Sequence, residues 1–285
     1  MLLGIDASRA LRPASQRTGT ELYSRQLIES LLRLAPTRPA PPSLRLYTDV
    51  APDQTTRQAW IGADWRIIPS PRLWTHARLS LEMLRRPPDV LFVPAHVLPL
   101  WRPRRTLVTI HDLGYLFFPQ AHPLRQRLYL DLTTRWHGRV ATHILADSHA
   151  TAHDLTRRLG VDARRISVVY PGFTPTMQRP ADPSLLQRTA AAYGLSAPYF
   201  FYVGTLQPRK NLVRVAQAFA HLLTRWAAER PDAAPPQLVL AGRPGWLSDQ
   251  VLAPIRALGL GDQVRILGYV PQTDLPALLS GAVAL

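Results

Sequence analysis

Short apolar segments alternate with helical segments along the whole chain, and that alternation narrows the fold more than any other feature. Residues 2–6, 44–47, 66–68, 90–93, 106–110, 142–145 and 166–170 read as strands. Between them, residues 20–34 place Leu22, Leu27, Ile28, Leu31, Leu32 and Leu34 at helical spacing. Residues 74–85 and 125–138 are helical in pattern as well. Ser148 stands as the N-cap of a further helix that ends near Gly160. Strands separated by helices cannot be joined as hairpins, so the order predicts a parallel sheet with helices on both faces.

Pro171-Gly172-Phe173-Thr174-Pro175 ends this series, and Arg179-Pro180-Ala181-Asp182-Pro183 follows, so a domain boundary is expected within residues 172–183. That gives a first domain over 1–175 and a second over 183–285. The second domain reads as strand 199–203, helix 211–229, strand 237–241, helix 246–258, strand 263–267 and helix 273–280. Residues 282–285 look like the start of one more strand. These amount to about half the elements of a doubly wound sheet. A length of 285 residues accommodates two domains, and 46% hydrophobic with 19% charged residues supplies a core for each.

Several function classes recede on composition. There is no cysteine, hence neither disulfide framework nor thiolate metal site, which fits a reducing compartment. Residues 1–6 lack the basic lead of a signal peptide, and Asp6 interrupts their apolar run. No apolar stretch reaches the roughly 18 residues of a membrane span. The net charge of +15 suits an anionic partner. Its arginines are scattered in short clusters, such as Arg85-Arg86 and Arg164-Arg165, with no nucleic-acid-binding signature. Two readings fit that distribution: a solvated arginine-rich surface, or attraction to anionic lipid headgroups.

Lys210 is the only lysine among 34 basic residues. It follows strand 199–203 and Gly204, and it precedes a helix. Strand ends beside helix N-termini are where α/β folds hold phosphate, and an ammonium is a compact point charge that arginine does not replace. Chance placement is the competing reading. The loop from Ala7 to Thr20 carries Gly19 at the helix start, which suits close backbone approach to a ligand or a plain strand-to-helix turn. His111 ends a strand at the edge where such sheets bind ligands; a lone histidine is otherwise a structural residue. His149 and His153 share a helix face without a carboxylate to complete a metal set, and His96 reads as a loop residue.

Taken in order, four patterns resemble the retaining glycosyltransferases of family 4, also called group 1. They are Gly19-Thr20-Glu21, Thr109-Ile110-His111-Asp112-Leu113, Val203 through Asn211, and Leu238-Val239-Leu240-Ala241-Gly242. Ala146-Asp147-Ser148-His149 and Leu267-Gly268-Tyr269-Val270 support them. The resemblance implies an α/β protein of the GT-B fold: two Rossmann-like doubly wound parallel-sheet domains facing across a cleft, here with the second incomplete. It implies transfer of a hexose, mannose among the candidates, from a nucleoside-diphosphate sugar to a hydroxyl acceptor, without metal or other cofactor. Cell-surface glycan or lipopolysaccharide biosynthesis is the implied setting.

By the same resemblance, Lys210, Arg209, Thr205, Gly19 and Thr20 would meet the donor diphosphate. Gly242, Gly268, Tyr269 and Val270 would meet the nucleotide, and His111 with Asp112 would act at the reacting centre. His111 is expected to support the transition state rather than serve as general base, with Asp112 touching acceptor or orienting His111. The implied partners are a nucleotide-sugar, a glycan or lipid-linked acceptor and an anionic membrane surface, with no nucleic acid. The implied location is cytoplasmic, peripheral on the inner face of the cytoplasmic membrane. In the family, two glutamates eight positions apart follow a strand like 282–285; the chain is therefore expected to be a fragment. A non-catalytic nucleotide- or glycan-binding remnant is the alternative, and a nucleotide-sugar epimerase a weaker one.

Overall fold

The computed structural model describes every residue except 71–72, 96, 174–176, 181 and 196–197; His96 lies outside the described residues. The chain divides into two compact units. Unit 1 comprises Met1–Phe117 and Leu124–Pro171, and unit 2 comprises Phe118–Pro123 and Gly172–Leu285.

Unit 1 is built on seven strands: β1 (Leu2–Asp6), β2 (Ser43–Thr48), β3 (Asp64–Ile67), β4 (Val90–Val93), β5 (Thr106–Ile110), β6 (His143–Ala146) and β7 (Ile166–Val168). Their order is β3-β2-β1-β4-β5-β6-β7, and every pairing is parallel. The order reverses between β1 and β4. Helices on either side of that reversal cross to opposite faces, which opens a crevice beyond the carboxyl ends of the strands.

The helices of unit 1 are α1 (Gly19–Leu34), α2 (Gln54–Ala59), α3 (Ser80–Arg85), α4 (Gly114–Phe117), α5 (Leu124–Val140) and α6 (His149–Leu159). A π-helical stretch, Trp74–Leu79, leads into α3. The core is split by the sheet. On β4, Leu91 and Val93 pack with Leu79, Met83, Val108 and Ile110, while Phe92 packs with Ile5, Ile28, Leu46 and Trp60 on the other side. Burial on both faces explains why these strands are continuous apolar runs rather than alternating ones.

Unit 2 contains α7 (Pro183–Ala192), β8 (Tyr199–Val203), α8 (Leu212–Glu229), β9 (Gln237–Ala241), α9 (Asp249–Ala257), β10 (Val264–Gly268) and α10 (Leu275–Gly281). Its sheet runs β10-β9-β8, again parallel. The expected strand start at 282–285 is present as a parallel bridge from Ala284 to Phe200, with Phe201 N–H donating to the Ala284 carbonyl at 2.9 Å. On β9, Leu238 and Leu240 face Phe219 and Val251, whereas Val239 and Ala241 face Tyr199 and Leu278.

Three helices escaped the sequence reading, one of them the four-residue α4. α2 buries only Thr56 and has no apolar stripe; Asp53 caps it by accepting from Thr56 N–H at 2.6 Å. α7 begins where a linker is expected: Asp182 accepts from Ser184 N–H at 2.8 Å and Pro183 occupies the first turn. That Asp-Pro start is a helix signal in its own right. β7 stops at Val168, short of the expected 170. The Ser148 cap holds: its Oγ accepts from Thr151 N–H at 3.1 Å, and Gly160 closes α6 at φ 67°.

Candidate functional site

Three neighbouring strand ends of unit 1 converge on His111. The residue follows β5, and its Nε2 lies 3.0 Å from the carbonyl oxygen of Pro94, which follows β4. Its Nδ1 lies 2.6 Å from Asp147 Oδ2, which follows β6. The Thr151 hydroxyl donates to the His111 carbonyl at 3.2 Å, and the Tyr23 ring of α1 packs edge-on at 4.8 Å. Both ring nitrogens are thus committed to protein oxygens, and neither is offered as a base. Asp147 thus orients the ring from its Nδ1 side. Asp112 accepts from Gly114 N–H at 2.8 Å and so starts α4, with its side chain exposed. The sequence marks Asp147 only as a residue between a strand end and a helix cap, not as a partner of His111.

The loop between β1 and α1 forms a second polar group. Asp6 accepts from Ser8 N–H at 2.9 Å and from the Ser8 hydroxyl at 2.6 Å. Burial pushes the Asp6 carboxyl above its ordinary value, against those two hydrogen bonds. At the start of α1, Glu21 Oε2 accepts from Thr18 N–H at 2.9 Å and also from the Thr18 hydroxyl, while Oε1 meets Arg9 at 3.0 Å. Arg12 pairs with Asp49 at 3.0 Å. Ser8, Arg9, Arg12, Glu21, Asp49 and Tyr129 are among the walls of a pocket of about 630 Å³. Gly19, at the first helical position, has no atom within 4 Å of where a Cβ would stand. Nothing inside the protein requires glycine there. Thr20 beside it is half-buried and its carbonyl accepts from Ser24.

Glu21 gives a pH prediction. Burial raises its carboxyl, but the two Thr18 bonds and Arg9 outweigh burial and hold it below the ordinary 4.5. A carboxylate with a depressed folded value stabilises fully above its unfolded value, and that stability is lost as pH falls through the folded one. Glu21→Gln is therefore expected to cost unit 1 about 1–2 kcal/mol at neutral pH. The gap to the parent should close as pH falls below 4.5. Urea unfolding at several pH values checks it; a gap independent of pH would refute the ionic part.

In unit 2 the strand ends are locked by glycines. Gly204 follows β8 at φ 154° and Gly242 follows β9 at φ 143°. Gly204 N–H donates to the Ala241 carbonyl at 2.9 Å, and Gly242 N–H donates to Gly268 at 2.7 Å. A Cβ on Gly242 would stand 1.8 Å from the Gly204 carbonyl oxygen. Thr205 is half-buried, with its Cγ2 against Gly245, and Leu206 N–H reaches the Arg243 carbonyl at 2.8 Å.

A short 3-10 turn, Pro208–Lys210, carries Arg209 and Lys210 to the start of α8. Asn211 caps that helix in a left-handed conformation, φ 55°, without a side-chain hydrogen bond. The leading N–H groups of α8 are therefore not taken by its cap residue's side chain. Lys210 is exposed, and among the described residues no carboxylate pairs with it. Arg209 is half-buried near the Tyr202 phenol. Gly268 is at φ 71°; Tyr269 is partly exposed under the Arg243 guanidinium, 5.4 Å from its ring. Val270 instead buries its side chain in the core with Tyr199 and Leu278. Lys210, Arg209 and Arg243 make this edge strongly basic, and sequence reasoning passed over Arg243.

Comparison with known proteins agrees with this architecture. The family described as Glycosyltransferase Family 4 matches residues 32–176, and the one described as Glycosyl transferases group 1 matches residues 189–285. O-antigen chain mannosyltransferase B of Escherichia coli is 29% identical over 213 residues, which is 73% of this chain and 53% of that protein. The chain thus spans about half the length of that relative. Among solved structures, WaaG, a glycosyltransferase involved in lipopolysaccharide biosynthesis, superposes with a TM-score of 0.67 at 15% identity, over 99% of this chain and 73% of that one. Anabaena HepE in complex with UDP-glucose gives 0.65 at 16%, over 99% and 71%. These likenesses show the GT-B fold. Matched in both halves, the chain belongs to the family 4, or group 1, glycosyltransferases.

Proposed function

We propose that this chain serves a glycosyltransferase that moves a hexose from a nucleoside-diphosphate sugar to a hydroxyl acceptor, with retention and without a metal. The observation that carries the reading is the basic strand edge of unit 2. Lys210 stands exposed with no acid partner among the described residues, beside the start of α8 and the Gly204–Gly242 lock. As the bond from the anomeric carbon to the leaving diphosphate breaks, negative charge grows on that diphosphate. Fixed cations and helix N–H groups offset it in place of a metal ion. Thr205 and Arg209 belong to the same loop and share this role, and Gly242, Gly268, Tyr269 and the Val270 main chain form the nucleotide's bed.

Unit 1 supplies the sugar and acceptor side. His111, with its nitrogens engaged by Asp147 and Pro94, acts as a rigid polar contact and not as a base. Gly19 and Thr20 open a helix start to anionic oxygen, and Asp112 contributes an exposed carboxylate. The polar pocket lined by Arg9, Arg12, Glu21 and Asp49 suits the hydroxyls of a glycan: both arginines are already neutralised by carboxylates. The mannosyltransferase relative and the lipopolysaccharide enzyme of like fold support mannose and a surface-glycan pathway.

Equilibrium binding of GDP, UDP and ADP to the chain, with and without EDTA, tests this. One diphosphate should bind preferentially, unaffected by EDTA, and binding should weaken on Lys210→Ala. No binding to any of them, or binding that requires a divalent ion, would refute the reading.

A further inference from the structure

The end of the unit 1 sheet opposite His111 carries an apolar slot that the transferase reading leaves unused. His111 follows the carboxyl end of β5; the slot lies at the amino ends of β4 and β5, about 16 Å away along a five-residue strand. Its apolar walls are Met83, Leu84, Pro87, Pro88, Trp101 and Pro103, and its volume is about 410 Å³. Leu84 and Trp101 are 60% and 55% exposed, and Leu100 beside Trp101 is 52% exposed. A lone exposed leucine is ordinary, but a tryptophan, a leucine and three prolines around one recess form the kind of patch that marks an interaction site.

The walls are held in place before anything binds. Leu2 N–H donates to Asp89 Oδ2 at 2.6 Å, and Asp89 N–H donates to the Leu2 carbonyl at 3.0 Å, which pins the segment after Pro88 to β1. On the wall that carries Trp101, Leu100 N–H donates to the Ser80 hydroxyl at 2.9 Å. Arg102 donates to the Leu100 carbonyl at 3.0 Å, and its guanidinium lies 5.0 Å from the centre of the Trp136 ring. Prolines and these bonds leave little to be ordered when a ligand arrives.

The rim is basic. Arg85, Arg86, Arg104 and Arg105 are exposed, and among the described residues none has an ion-pair partner. Asp89 is the one acid among the described lining residues, and one of its oxygens is taken by Leu2.

We propose that this slot docks an acidic segment of another protein, with one large apolar side chain seated against Trp101 and flanking carboxylates meeting the four arginines. Tryptophan and arginine are the residues that dominate such interfaces. The charge selects the partner: unpaired cations at the rim repel a basic protein, and they repel a second copy of this chain, whose net charge is +15. The recess selects among anionic partners. Nucleic acid calls for successive aromatic platforms, whereas here one tryptophan faces aliphatic walls. A bilayer takes up a protruding apolar face rather than a side chain's worth of recess closed by prolines. At the far end of the sheet, the docked segment leaves the His111 site open, so the proposal does not depend on the transferase reading.

Selection of a phage-displayed library of random twelve-residue peptides on the whole chain, with counter-selection on Trp101→Ala, tests the proposal. Enriched peptides should carry Asp and Glu around a recurring Leu, Phe or Trp. A synthetic peptide of the enriched sequence should bind the parent in fluorescence anisotropy. Trp101→Ala should weaken that binding by roughly thirtyfold or more, the scale of an aromatic hot spot. Arg85→Glu with Arg104→Glu should weaken it by about tenfold or more, and added salt should weaken the parent's binding. Because these side chains are exposed, urea unfolding of both variants should match the parent. No enrichment over the counter-selection, or enriched peptides without acids, overturns the proposal. So does binding of oligouridylate or of phosphatidylglycerol vesicles that Trp101→Ala abolishes, since the slot would then serve nucleic acid or lipid. Nucleoside-diphosphate binding should be the same in parent and variants; its loss would tie the slot to the donor site and overturn the docking role as well.

Discussion

Gly242→Ala is expected to destabilise unit 2 by at least about 3 kcal/mol. Two effects act together. The backbone at Gly242 sits at φ 143°, where an L side chain is strained. The new Cβ would also stand 1.8 Å from the Gly204 carbonyl oxygen and 2.6 Å from its carbonyl carbon. Those are main-chain atoms, so no rotamer change relieves the clash. Retreat of either strand end breaks the bonds from Gly204 N–H to Ala241 and from Gly242 N–H to Gly268. The entropy that alanine removes from the unfolded chain recovers only about 0.4–1 kcal/mol. Trp226 and Trp246 report on unit 2, and their fluorescence should show an earlier urea midpoint. Gly19→Ala is the control: open space surrounds its Cβ position, so a change within about 0.5 kcal/mol is expected. Any loss of diphosphate binding in that variant belongs to the ligand and not to the fold. An unchanged midpoint for Gly242→Ala would contradict the interlocked geometry.

The elements most legible in the sequence were largely buried strands. β1, β4, β5, β8 and β9 occupy the residues that their apolar runs predict, because a parallel strand covered on both faces reads as a nearly continuous apolar run. α2 and α7 were illegible by periodicity for the opposite reason: one buries Thr56 alone, and the other has no buried residue. Their caps, Asp53 and Asp182, were the usable signal. The site follows the same division. His111 and Lys210 were visible because each follows a strand, and strand ends are where such sheets bind. The partners of His111 were not, because Asp147 and Pro94 reach it only once β4, β5 and β6 lie side by side. Strand order is a tertiary fact that local pattern does not carry. Val270 makes the converse point, since its place in a family motif said nothing about its side chain turning inward.

The same contrast between side chains that hold the fold and those that do not gives the second large effect. On the proposed transferase reading, Lys210→Ala is expected to reduce sugar transfer by roughly 10²–10³-fold, the scale on which a single transition-state charge contact acts. Stability should barely change. The ammonium is exposed and, among the described residues, has no ion-pair partner, while its backbone N–H bond to Gln207 at 3.0 Å survives the substitution. The loss should fall mainly on kcat, because charge on the diphosphate is greater in the transition state than in the bound donor. Lys210→Arg should restore only part of the rate. A guanidinium is a planar fork with diffuse charge, and a turn of three residues between Gln207 and Asn211 leaves it little freedom to re-aim. Raising the salt concentration should weaken donor binding by the parent more than by the alanine variant, since the screened charge is absent from the latter. Steady-state kinetics on protein with matched unfolding curves would decide the matter. Equal turnover of parent and Lys210→Ala would move the diphosphate away from the start of α8 and leave Arg209 and Arg243 as the remaining cations at that edge.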